Sequence, residues 1–245
     1  MRKIIIGIDD TDNLESRGTG HIARQLGLSL QNSDLVTLKN ITRHQLLVSP
    51  LIPYTSHNSS ASLIVESVAD INEIKAHCVH FLTKHSATGS DCGLCIAKIE
   101  NISQDLVEWG INAKRNVLIM DDAYSLAQKN NIILEGLTGY KTGIIGSLAA
   151  VGLRYDGNDG RILWLNNLRE INGEYKSKEI FQKIDIEQIV DENFNKISDD
   201  ATIEMGDWVR PIVRNKKITL IVKKVDNYEN KFITASKEFI KSISE

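Results

Sequence analysis

Apolar residues fall into short runs separated by polar and glycine-rich segments, and the spacing within each run assigns an element. Lys3 to Ile8 is a β-branched run closed by Gly and Asp, the mark of a buried first strand. Asp9 to Gly20 is polar and reads as a loop. Thr19 is placed to cap a helix to about Gln31, with Ile22, Leu26 and Leu30 on one face. Leu35–Ile41, Gln45–Val48 and Ser62–Val65 read as extended. Pro50 and Pro53 bracket an irregular loop, "SPLIPYTSHNSS". Ile71, Ile74, Cys78 and Leu82 recur at helical spacing between Asp70 and Thr83. "SATGSDCGLC" is a loop entering a strand at Leu94–Ile99, and Gln104–Ala113 is helical.

A second organisation begins near Val117. Asp121 or Asp122 caps a helix through Gln128, and Ile132–Leu134 is a short strand. "EGLTGYKTGIIGSLAAVG" is a glycine-rich loop opening a small-residue helix over about Thr142–Val151. The pattern then predicts a hairpin of Arg161–Leu165 with Glu174–Lys176 and an amphipathic segment over Asp185–Phe194. Trp208–Val213 and Lys217–Lys224 read as paired strands around "RNKK", and the tail from Ala235 reads as a helix. Strands and helices alternate with mixed connections. The expected fold is therefore α+β (mixed α/β), in two lobes joined near residues 113–120.

The 245 residues suffice for one large or two small cores. With 42% hydrophobic and 25% charged residues the composition is that of an ordinary globular protein. A net charge of −3 supplies no overall basic field for nucleic acid. No apolar stretch approaches the roughly 18 residues a membrane span requires, and no signal peptide is legible. Three cysteines do not make a disulfide framework. A cytoplasmic protein with no membrane partner is expected, and a homodimer is compatible with the sequence.

The candidate chemistry starts in "GIDDTDN". Asp9, Asp10 and Asp12 follow a buried strand directly, and their mutual repulsion calls for a cation. Hard divalent cations take carboxylate oxygens, and Mg²⁺ typically uses one or two together with phosphate oxygens and water. The expected ligands are Asp9, Asp10 and Asp12, with Thr11 donating to a phosphate or a carboxylate. The alternative is that the aspartates cap a turn. Two other phosphoryl-transfer patterns are near misses. The dehalogenase-type phosphatase motif would make Asp10 a nucleophile, but the following threonine is absent. An actin-type turn would need glycine where Thr11 stands.

Gly18, Thr19 and Gly20 lie at a helix start, where outward amides suit phosphate. Gly136, Gly139, Gly143 and Gly146, with Lys141 among them, resemble a phosphate cradle without the P-loop pattern; close helix packing explains them equally well. His21 is expected in the site, and His44 and His57 flank the proline loop. Cys92 and Cys95 form one Cys-x-x-Cys pair, short of the four ligands of a structural zinc site, and Cys78 reads as core. Arg210, Arg214, Lys216, Lys217, Lys223 and Lys224 read as a solvated hairpin face or an RNA backbone contact.

"IGIDDTDN…SRG", "ITRHQLLVSPLIPYTSHNSSASL" and "GYKTGIIGSLAAVG", in that order, resemble the catalytic half of the archaeal tRNA(Ile) agmatinylcytidine synthetase family over roughly two-thirds of the chain. The resemblance implies a kinase-like domain over residues 1–115 and a ferredoxin-like domain with a C-terminal hairpin and helix over 116–245. It implies ATP and Mg²⁺, ligase or transferase chemistry, and tRNA processing. In that family ATP phosphorylates a cytosine carbonyl oxygen and agmatine displaces the phosphate. Asp9, Asp10 and Asp12 would hold metal and phosphates, with Asp9, Asp10 and His21 catalytic. Tyr54 and Thr55 would join His44 and His57 in the substrate cleft, and Gly143 and Gly146 would open the later helix. His21 stands where the family has a threonine that is itself phosphorylated. The family also continues into an oligonucleotide-binding fold and a zinc ribbon, which this sequence does not reach. The expected function is an ATP- and Mg²⁺-dependent phosphoryl transfer to a nucleoside, a tRNA or a small metabolite. The rival is a nucleotide- or RNA-binding module that has lost catalysis.

Overall fold

The computed structural model describes residues 1–52, 54–55 and 57–244; Pro53, expected to close the proline bracket, lies outside them. The chain forms two compact units, Met1–Asp156 and Gly157–Glu245. Helices and strands are mixed throughout, as the α+β expectation required.

The first unit is built on β1 (Arg2–Asp9), β2 (Thr37–Gln45), β3 (Ser59–Ser67), β4 (Gly93–Lys98) and β5 (Ile133–Gly136). Their order is β5-β4-β1-β3-β2, and every neighbouring pair is antiparallel. Residues 4–8 of β1 are all buried because helices cover both faces. On one face lie α1 (Thr19–Asn32) and α2 (Ile71–His85), on the other α3 (Gln104–Ala113), α4 (Met120–Lys129) and α5 (Ile144–Asp156). Leu63 of β3 meets Gly27 of α1, and its partner Ile6 shares that face with Ile4 and Ile8. Ile5, Gly7 and Asp9 therefore point the other way, toward α5. There a β-carbon at Gly7 would collide with the Ser147 carbonyl, so only glycine allows helix and strand to approach this closely. Each isoleucine enclosed in β1 contributes about 2 kcal/mol of burial free energy.

Side chains take up free amides at the starts of α1 and α2. Asp70 caps α2 by accepting from the Asn72 amide, and Glu73 completes the capping box. Gly18, not Thr19, stands at the cap position of α1 and makes no side-chain cap bond. Asp12 reaches back from the acidic loop and accepts from the Thr19 amide at 3.0 Å.

The second unit contains β6 (Arg161–Leu165), β7 (Gly173–Lys176), α6 (Ser177–Lys183), β8 (Gln188–Asp191), β9 (Thr202–Met205), β10 (Ile212–Arg214), β11 (Lys217–Lys224), β12 (Lys231–Thr234) and α7 (Lys237–Ser244). The expected strand pair around "RNKK" forms as β10 and β11, turning through Asn215 and Lys216, both at positive φ. The expected hairpin of β6 with β7 does not: β6 pairs with β10, and β7 with β9. The amphipathic stretch after Asp185 contains β8, parallel to β11, because Ile189 and Val190 are buried on opposite faces.

The first unit extends past the boundary expected near residue 115. α4, β5 and α5 pack into it, since β5 adds to the edge of β4 and α5 crosses β1 and β4. Among the described residues no helix is long and apolar enough to cross a membrane.

Candidate functional site

The site lies at the end of β1 where the chain leaves the sheet. Asp9 is the last residue of that strand, facing α5. A β-carbon at Gly146, in the first turn of α5, would collide with an Asp9 carboxylate oxygen. The Asp9 carboxyl is enclosed, and burial, then the neighbouring Asp10 charge, push its pKa up to about 8. Asp10 follows at φ 51°, a left-handed conformation that Asp tolerates better than most residues. Burial and the charge of Asp91 raise its carboxyl to about 6, although its oxygens accept from the Asp91 amide.

Asp12 does different work. Its Oδ1 accepts from the Thr19 amide at 3.0 Å and the Thr19 hydroxyl at 2.8 Å, and its Oδ2 from the Thr55 hydroxyl at 2.8 Å. Thr11 is buried, with its amide and hydroxyl donating to Thr19 Oγ1 at 3.3 and 3.2 Å. Thr11 is thus a brace behind the loop, and it lines no described cavity. Asp12 thus ties three segments together.

A cavity of about 240 Å³ opens beside these carboxylates. Asp9, Asp10, Asp12, Thr19, Thr142, Gly143 and Gly146 form its polar floor. Leu46, Leu51, Val117, Leu118 and Ile145 form an apolar wall, and Tyr54, Thr55, His57, Asn58 and Ser59 complete it. The Leu47 amide, donating to the Ala113 carbonyl at 3.0 Å, ties together the two segments that bear much of that wall. A polar floor with an apolar wall is the usual construction of a small-molecule site. A second cavity, of about 400 Å³, shares Asp12, Thr19, His57 and Ser59 with the first and is lined further by Arg17, Gly18, Gly20, His21, Arg24 and Arg43. His21 therefore lines the neighbouring cavity, not that of Asp9 and Asp10. Burial, then Arg17 and Arg24, lower its pKa, which favours the neutral imidazole.

Two expected residues stand elsewhere. His44 is wholly buried, 2.8 Å from the Ser62 hydroxyl, because β2 and β3 pair there and turn it into the sheet; it lines neither cavity. Lys141 lies exposed in the turn before α5 at φ 67°, its stem against Gly136, and also lines neither. The glycine-rich segment serves first in packing. Thr138 Oγ1 donates to the Ser90 carbonyl at 2.7 Å and accepts from the Cys92 amide at 2.8 Å. The Gly143 amide donates to the Asp91 carbonyl at 2.9 Å. Cys78, Cys92 and Cys95 are buried free thiols, those of Cys78 and Cys92 pushed up to about 12 by burial. Of the six basic residues of the C-terminal segment, Lys217 and Lys224 stand at the two ends of the eight-residue β11, about 23 Å apart, and Arg210 lies over Trp208.

Asp91, absent from the residues expected in the site, lies against it without lining either cavity. It faces Asp10, and its carboxylate accepts from the Tyr140 amide and, at 3.3 Å, from the Thr142 hydroxyl. Its sequence signal is its position two residues before Gly93, which pairs with Asp9 across β4 and β1.

Among the described residues, no group of three or more His, Cys, Asp or Glu is arranged to hold a metal ion. A cation that takes one or two carboxylates and completes its shell with phosphate and water does not need such a group. Asp9 and Asp10 fit that requirement. Their carboxyls are enclosed, repel each other and are held above the ordinary carboxylate range.

No family model matches the chain. It is 31% identical over 156 residues to the Uncharacterized protein MJ0921 of Methanocaldococcus jannaschii, covering 62% of this chain and 50% of that protein. The chain thus spans about half the length of the curated relative it matches. Among solved structures it resembles apo TiaS, a tRNA agmatidine synthetase, at 24% identity and TM-score 0.53 over 61% of this chain and 35% of that one. It resembles a tRNA fluorescent labeling enzyme at 25% identity and TM-score 0.54, over 61% and 36%. The complex of TiaS with its tRNA and ATP matches at 24% identity and TM-score 0.55, over 62% and 36%. The resemblance expected from the three motifs holds at the level of fold: about three-fifths of this chain folds as about one-third of the tRNA agmatidine synthetase TiaS does.

Proposed function

We propose that this chain is an ATP- and Mg²⁺-dependent phosphoryl-transfer enzyme acting on a nucleoside, a tRNA or a small metabolite. The observation that carries the reading is the pair Asp9 and Asp10, buried beside each other and held above the ordinary carboxylate range at the floor of a cavity with an apolar wall. The solved structure of TiaS with tRNA and ATP, which shares the fold, agrees with it.

Asp9 and Asp10 would hold Mg²⁺, which when bound would supply neutralisation of charge on the phosphate oxygens of ATP. Thr142 and Gly143, entering α5, face the same cavity and orient the phosphates, and Leu46, Val117, Leu118 and Ile145 take the base. Asp91 holds the Asp10 loop against the turn before α5, and Asp12 fixes the start of α1. His21, from the adjoining cavity, would take the γ-phosphoryl group on a ring nitrogen: the N–P bond forms as the bond to the ADP oxygen breaks, and in the second step the N–P bond breaks as the acceptor bonds to phosphorus and gives its proton to the freed imidazole nitrogen. This positioning and charge neutralisation is the bulk of phosphoryl-transfer catalysis.

The test is incubation with Mg²⁺ and γ-labelled ATP, with and without bulk tRNA, following free phosphate and protein-bound label at alkaline pH. Label on the wild type and none on His21→Ala supports the relay. Phosphate release without protein label removes the relay and keeps the enzyme. ATP binding with neither outcome favours the rival, a nucleotide-binding module without transfer. That rival has one observation behind it: His21 lies in the adjoining cavity and not beside Asp9 and Asp10.

A further inference from the structure

The first unit leaves one sheet edge open. β5 ends the strand order and pairs with β4 on one side only. The Leu137 amide donates to the Cys92 carbonyl at 2.8 Å, which fixes the hydrogen-bonded pairs between these strands. In that register Glu135 and Ile133 turn their backbone groups to Leu94 and Ile96 of β4, and Leu134 and Gly136 turn theirs the opposite way. Among the described residues no hydrogen-bond partner meets the backbone N–H or C=O of Leu134 or Gly136. The Lys141 stem lies over the face of Gly136, where a β-carbon would point, and not over this edge. Natural edges are commonly blunted by proline, by a lysine on the strand or by a bulge. "ILEG" has no proline or lysine, and its pairing with β4 is regular.

The charges and the neighbouring helix mark what the edge fits. Glu135 is opposite Leu94, which is opposite Ile8, so its side chain stands on the α2 face of the sheet. There it pairs with Lys75 of α2 at 2.5 Å. Lys75 also lines a groove on the outer side of α2, whose floor is the small-residue stripe Ala76, Val79 and Thr83.

We propose that β5 is the contact between two copies of this chain, whose sheets join antiparallel across a two-fold axis at Glu135. Leu134 then stands opposite the partner's Gly136, and Gly136 opposite the partner's Leu134. Each pair exchanges two backbone hydrogen bonds, so every open group of both strands is used. An axis at Leu134 or at Gly136 would bring in Ile132 or Thr138 instead, and the Ile132 amide and the Thr138 carbonyl are already bonded to Ala127 and Lys141. The axis at Glu135 sets that carboxylate directly opposite its copy, which alone would repel. Lys75 beside each Glu135 makes the four charges alternate in sign. The same axis keeps both α2 helices on one face of the joined sheet, where their small-residue stripes allow close approach. This contact is independent of the phosphoryl-transfer reading.

Sedimentation velocity over the micromolar range tests it on the wild type, Glu135→Lys, Lys75→Glu and the double exchange Lys75→Glu/Glu135→Lys, with circular dichroism to confirm folding. The wild type is expected at twice the 27.4 kDa of the chain. Either single substitution puts four like charges at the axis and should weaken the dimer at least tenfold. The double exchange restores the alternation and should restore the dimer. Hydrogen exchange of the wild type gives a second readout: the amides of Leu134 and Gly136 should exchange slowly in concentrated protein and quickly on dilution. A wild type that is monomeric throughout overturns the proposal. So does a dimer that both single substitutions leave intact, a double exchange that folds without restoring the dimer, or exchange at Leu134 and Gly136 that does not depend on concentration.

Discussion

Asp9→Asn gives the sharpest physical test of the site. The folded-state pKa of Asp9 is about 8 against an ordinary 3.8, so folding favours the protonated carboxyl. Its destabilising effect is absent below the unfolded value and grows as pH rises from there through the folded value. Asp10, at about 6, contributes over a lower window, so the slope between pH 6 and pH 8 belongs to Asp9. Each pH unit in that window costs about 1.36 kcal/mol, which over the two units, with Asp9 half-ionised at pH 8, comes to about 2 kcal/mol. The Asp9 residue is partly exposed to the cavity, and the N-terminus of α5 favours its charge, so about 1 kcal/mol is the expected net value. For a folding unit of this size that is ~3 °C. Thermal melts without divalent cation should therefore show the wild type losing ~3 °C between pH 6 and pH 8. Asp9→Asn, which has no charge to bury, should stay level and melt higher at pH 8. Mg²⁺ with ATP should stabilise the wild type at pH 8 and leave the variant unmoved. A wild type that gains stability toward pH 8, or a variant that melts lower throughout, would refute the claim that Asp9 is an uncompensated buried carboxyl.

Other substitutions divide structural from chemical roles. Asp12→Ala removes the acceptor for Thr19 and Thr55 and should cost about 1–2 kcal/mol in denaturant melts. Gly146→Ala puts a methyl group where the Asp9 carboxylate lies; calorimetry should show Mg·ATP affinity reduced at least tenfold. Asp10→Asn keeps an amino acid that tolerates positive φ, so it should abolish turnover in a phosphate-release assay with little change in melting temperature.

Local patterning made much of the first unit legible. Residues 4–8 announced a strand, and the period of Ile74, Cys78 and Leu82 announced α2, because burial on two faces or on one leaves those periods in the sequence. The pairing of β6 was not legible. Its partner β10 lies some fifty residues on, and nothing local distinguishes it from β7. The site divides in the same way. Asp9 and Asp10 stood out because crowded carboxylates after an apolar strand are chemically costly. Asp91 did not, since only the register of β4 against β1 brings it to Asp10. His44 and Lys141 looked eligible by residue type, and strand pairing and a tight turn remove them from the cavities. The glycine-rich segment carried two meanings in sequence, and the close approach of α5 to β1 shows that packing is one it fulfils.

The central claim is that Asp9 and Asp10 bind Mg²⁺ together with ATP. The most direct measurement is calorimetric titration of the intact chain with ATP, with and without Mg²⁺, at pH 8. The account predicts saturable one-site binding that requires Mg²⁺ and is lost in Asp10→Asn. Failure to bind ATP in Mg²⁺, or equal binding in its absence, would contradict it.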